Sequence, residues 1–145
     1  MKKFLIVLAI AAATTIGFIQ SGALPQYEAP APALNNDQAL ADAFENRTSN
    51  LQIHGQGIVI KSLADDLDGS RHQRFIIELD SGQTLLIAHN IDLAPRLDAL
   101  NEGDEASFQG EYGWTSQGGV IHWTHLDPDG RHPNGWIKHR GRMYQ

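Results

Sequence analysis

Cysteine is absent from all 145 residues. That excludes a disulfide framework, a thiolate zinc site and a cysteine nucleophile, and an exported domain of this kind must be held by its core alone. Bases are the minority, 11 Lys and Arg against 17 Asp and Glu, for a formal charge of −6. An acidic whole speaks against indiscriminate nucleic-acid binding, which needs a basic footprint. No GxSxG elbow, HExxH pair or phosphate-binding glycine loop occurs, so no familiar catalytic motif announces a reaction. Apolar runs are short too. The longest, Phe4 to Ile19, falls below the roughly 20 residues that a membrane span needs.

That run has the make-up of a secretory signal. Lys2 and Lys3 precede it, and Ser21-Gly22-Ala23 supplies small residues where a signal peptidase cuts. Residues 1–23 are therefore read as a signal peptide cleaved after Ala23, giving a periplasmic or secreted protein that meets a membrane only if the segment stays uncut. Losing both lysines takes the charge from −6 to −8. Residues 24–36, rich in Pro and Ala, read as an extended tether. Over 37–48 the spacing of Leu40, Ala43, Phe44 and Arg47 predicts a short amphipathic helix capped by Asn36 or Asp37.

From residue 51 to 145 the period becomes that of strands. Leu51–Leu63 carries Gly55 and Gly57, which suit a bend. In Arg71–Leu79, Phe75, Ile77 and Leu79 share one face, with His72, Arg74, Ile76 and Glu78 on the other. Gln83–His89 puts Leu85, Ile87 and His89 on one side. Leu93, Leu97 and Leu100 have helical spacing. Glu105–Trp114 turns Ala106, Phe108, Gly110 and Tyr112 inward, and Val120–His125 is the fifth strand. Three strands, a short helix, then two strands is the order of an all-β, five-stranded, OB-like Greek-key barrel. The rival is another small barrel or a sandwich.

Chemistry concentrates in Gly118–Trp136, which holds three of the seven histidines and two of the three tryptophans. His122 and His125 are three apart, so they face opposite sides of a regular strand and converge only if it ends or bulges at Thr124. Each histidine alone reads first as a buried polar anchor. A divalent transition metal would need several to converge, and His122, His125, Asp127 and His132 are the candidates. The acidic turn Asp65–Ser70 lacks the alternating ligands of a calcium loop. The acids of 98–111 and the bases of 131–145 read as solvated surface.

His122-Trp123-Thr124-His125 resembles the hallmark of a bacterial family of small exported proteins known only as a domain of unknown function. The runs Gly69–Phe75, Ala88–Arg96 and Gly110–Tyr112, with Asp127-Pro128, His132, Gly135–Ile137 and Tyr144, resemble its recurring segments over roughly Gln52 to Gln145. The resemblance implies a compact exported domain and no particular substrate. Three functions are open. The first is a non-enzymatic binding module for an anionic or oligomeric ligand, built from His72, Arg74, His89, Arg96, His122 and His125 with Trp136 at the rim. The second is a metal-dependent hydrolase, with phosphodiesters as candidate substrates and imidazoles and Asp127 as ligands; a nuclease by fold analogy would draw on Asp65, Asp66, Arg71, Arg74 and Arg96. The third is a structural envelope protein.

Overall fold

A computed structural model describes residues 36–145. The signal segment and all of the tether but Asn36 lie outside the described residues. One helix and seven strands follow in order: α1 (Asp37–Glu45), β1 (Leu51–Ser62), β2 (His72–Glu78), β3 (Thr84–Asn90), β4 (Glu105–Gly113), β5 (Val120–His122), β6 (Trp136–His139) and β7 (Arg142–Tyr144).

The first five strands close a barrel in the order β1-β2-β3-β5-β4, with β4 returning to β1. All pairings are antiparallel except β3 with β5, where Leu86 and Ile87 sit opposite Val120 and Ile121. The fold is mostly β and OB-like. β1 pairs with β4 over Leu51–Ile58 and with β2 from Ile58 onward, so one strand serves both neighbours by bending. Gly57 lies at the bend, where a Cβ would run into the carbonyl of Glu78.

The predicted alternation sorts inside from outside. Phe75, Ile77, Leu85, Ile87, Phe108, Tyr112 and Ile121 are each no more than 1% exposed and fill the barrel. α1 closes one end by burying Leu40 and Ala43. Phe44 stacks on Trp114 at 6.5 Å, and the Trp114 indole donates to the Phe44 carbonyl at 3.1 Å. Asn36 does not cap the helix through its side chain. Its amide donates instead to the His54 carbonyl on β1, at 2.8 Å.

Three expectations need correction. Residues 91–104 form turns and no helix. Pro95 brings no N–H, and the buried Gln73 side chain takes both backbone groups of Leu97, accepting from its N–H at 2.9 Å and donating to its carbonyl at 3.0 Å. The loop is thereby tied to β2. The fifth strand stops at His122 because Trp123 adopts a left-handed φ of 57°. Finally, the chain after residue 135 forms a hairpin, β6–β7. β6 continues along the edge of β4 that β5 leaves, pairing with Ala106–Gln109. This brings the acidic and basic segments together: Asp104 accepts from His139 at 2.8 Å and Arg140 at 3.1 Å. Its pKa falls to about 2, through the Asn101 N–H first, then His139 and Arg140.

Candidate functional site

Trp123 decides the geometry. Its left-handed turn ends the strand after His122 and swings Thr124 and His125 back toward the barrel, where both are buried. The excursion 123–135 then returns beside its starting point. The Gly135 N–H donates to the His125 carbonyl at 2.9 Å, and Gly135 lies so close to the Trp123 and Gln109 carbonyls that a Cβ would overlap both. Asp127 organises the loop from within. One carboxylate oxygen accepts from the Asp129 N–H, the other from those of Arg131 and His132, at 2.6–3.0 Å.

At the end of the barrel where β3 and β5 finish, Ser70, His72, Asn90, Leu93, His122, Trp123 and His125 line a cleft of about 210 Å³. Three imidazoles thus share one cavity. His72 commits its Nδ1–H to the Ser70 carbonyl at 2.7 Å, and His125 commits its own to the Leu126 carbonyl at 2.7 Å. Such bonds fix each ring and leave its Nε2 as the free edge. His122 approaches Glu111 at 3.4 Å. Burial lowers its pKa, and the Glu111 charge offsets that only in part.

Glu111 also accepts from His132 Nε2 at 2.8 Å. The His132 ring lies on Trp123 at 4.0 Å and 12°, and His125 leans on the same indole at 5.3 Å. Desolvation works to lower the His132 pKa. The hydrogen bonds to Glu111 and the Pro133 carbonyl, with the Glu111 and Asp127 charges, outweigh it, so the pKa is raised.

The other predicted residues are distributed differently. His89 points into the barrel, away from the face of His72 and Arg74, because it shares the inward side of β3 with Leu85 and Ile87. Its Nε2–H donates to the Pro95 carbonyl at 3.1 Å, and its Nδ1 accepts from the Thr124 hydroxyl at 2.8 Å. Burial pushes its pKa down to about 4. His89 is a neutral fastener between β3, the 91–104 loop and the Trp123 turn. Arg96 is engaged by Asp65 at 3.0 Å and Asp98 at 3.1 Å. Arg71 is engaged by Asp92 at 2.6 Å. Arg74 stays on the outer face of β2 and gives only its Nε to the Ala64 carbonyl, at 3.1 Å. Trp136 is half-buried on β6, opposite Gln109 and outside the cleft lining. The tryptophan of the site is Trp123.

The set His122, His125, Asp127 and His132 is not brought together. Asp127 is occupied by loop amides and His132 by Glu111, and among the described residues no three His, Cys, Asp or Glu are placed to hold a metal ion. Asn90 and Glu111 were absent from the sequence-based site. Their register was the available signal: Asn90 stands opposite His72 and Glu111 opposite His122.

Fold and cleft together define a small OB-like barrel with an imidazole-lined pocket beside a pinned loop. The chain belongs to the family of proteins of unknown function DUF3465, whose model matches residues 23–145. No curated protein matches it.

Proposed function

We propose that this chain is a non-enzymatic binding module of the bacterial periplasm or cell exterior, taking an anionic group into the His72/His122/His125 cleft. The convergence of three imidazoles on one cavity carries the reading. Two of them have their Nδ1 edges tied to backbone carbonyls, so each ring is held in place with its Nε2 edge untied. Ser70 and Asn90 add neutral polar groups, and Trp123 forms a flat wall. Export is supported by the Lys2-Lys3 and apolar start.

The test is a titration with glucuronate and with inorganic phosphate, followed by amide and imidazole NMR shifts. Shifts should centre on His72, Asn90, His122 and His125, and affinity should weaken as salt is added and the anion is screened. A His72→Gln, His122→Gln variant should lose the response while remaining folded. Binding indifferent to both salt and these changes would remove the reading.

A further inference from the structure

The imidazole cleft occupies one end of a continuous outward face. β2 and β3 alternate, so the side chains not in the core stand on this face in rows fixed by register: His72 beside Asn90, Arg74 beside Ala88, Ile76 beside Leu86. Leu86 in turn stands opposite Val120 of β5. Beyond the Ile76–Leu86 row lies a second cleft of about 380 Å³, lined by Ile76, Thr84, Leu86, Thr115, Ser116 and Gln117. Along β3, Asn90 lines the first cleft and Leu86 the second, so their facing edges are roughly 14 Å apart and the two together span roughly 20 Å at ~3.4 Å per residue. The β2–β3 row between them is Arg74 with the small Ala88. No carboxylate pairs with Arg74 among the described residues.

The two ends differ in chemistry. The first presents imidazoles. The second presents three hydroxyls and an amide around two aliphatic side chains, with no charge. A further acceptor is close by: Gln83, in a neighbouring cleft that shares Thr84 and Gln117, has its amide oxygen buried without a donor among the described residues. Hydroxyls that donate and accept, together with apolar C–H surface, are what a sugar ring offers such a lining.

We propose that the ligand is a linear acidic oligosaccharide, bound by an anionic group at His72, His122 and His125 and by its following sugar units from Arg74 to the second cleft. This rests on the anion-binding reading of the first cleft. A peptide added as a strand needs an open edge, and β2, β3 and β5 are each paired on both sides. Single-stranded nucleic acid needs a cationic track and stacking aromatics. The second cleft has neither, and the chain carries −6.

The experiment compares glucuronate with a hyaluronan tetrasaccharide, which alternates uronate and N-acetylglucosamine, by calorimetry on the full-length chain. Tetraglutamate and an oligothymidylate serve as the other arms. The tetrasaccharide should bind at least about tenfold tighter than glucuronate. A Ser116→Ala, Gln117→Ala variant, altered only at exposed loop side chains, should bring it to within about threefold of glucuronate without changing glucuronate binding. Glucuronate binding with no gain for the tetrasaccharide would overturn the extended site and leave the first cleft standing. Absence of both overturns the two readings together. Tighter binding of the peptide or the oligonucleotide overturns the sugar assignment.

Discussion

His89 has no exposed surface and both ring nitrogens are used, one as donor to Pro95 and one as acceptor from Thr124. Burial makes a charge on this ring costly, and the nearby His125 adds to that, outweighing the hydrogen bonds to Pro95 and Thr124, so the pKa drops from 6.5 to about 4. Its contribution is complete above pH 6.5 and is lost as pH falls toward about 4, because the unfolded chain binds the proton first. The loss amounts to about 3 kcal/mol over that window. Urea unfolding midpoints should fall accordingly, and His89→Gln should flatten the slope while lowering stability at neutral pH. A wild-type midpoint constant between those pH values would contradict this role. His132 responds with the opposite sign. Its pKa is raised in the folded state, so its bond to Glu111 strengthens the fold at low pH and fades as pH rises through the folded value. In Glu111→Gln, NMR titration of the His132 ring should show its pKa dropping, and amide exchange in 126–135 should quicken. Histidine as a residue type was legible in the sequence. Which one packs and which one lines the cleft depended on a single left-handed residue, Trp123, that no periodicity encodes.

At the scale of elements, β1 to β4 were legible because each is long enough for period-two alternation to repeat, and the glycine bend in β1 falls where a barrel strand must turn. β6 and β7 were not. They have 4 and 3 residues, and one inward position belongs to His139, which borrows its polarity match from Asp104. The 91–104 loop was misread for a related reason. Leucines at helical spacing were weighed without Gln73, a side chain from another strand that claims the Leu97 backbone. Gln73→Leu keeps the volume but orphans a buried N–H and a buried carbonyl, and should cost about 2–4 kcal/mol in chemical denaturation. Gly135→Ala tests the loop neck. The added methyl meets the Trp123 and Gln109 carbonyls, backbone that cannot swing aside, so the neck must open. A loss of about 2 kcal/mol or more is expected, with NMR shifts spreading from His125 to His122 because the cleft wall moves with it.

For the whole molecule, the lack of cysteine means that closure of the sheet must do what disulfides do in many small domains. β4 is the strand on which closure depends: one edge takes β1, and the other is shared between β5 and β6. Were the chain to end at Asn134, the Ala106–Gln109 edge would be left open, and the side chains that cover it, Ile137, His139 and Tyr144, each no more than 5% exposed, would be gone. Burying Ile137 and Tyr144 is worth about 2 kcal/mol each, and the orphaned edge groups and Asp104 add to the deficit. Truncation after Asn134 should therefore lower the melting temperature by roughly 20 °C or abolish cooperative unfolding, given that ~1 kcal/mol moves a domain of this size by about 4–8 °C. An exposed strand edge is also a template for pairing between copies, so the truncated chain should self-associate during size-exclusion chromatography. If it ran as a monomer with an unchanged melting temperature, β6 and β7 would be an appendage that the five-stranded barrel does not need.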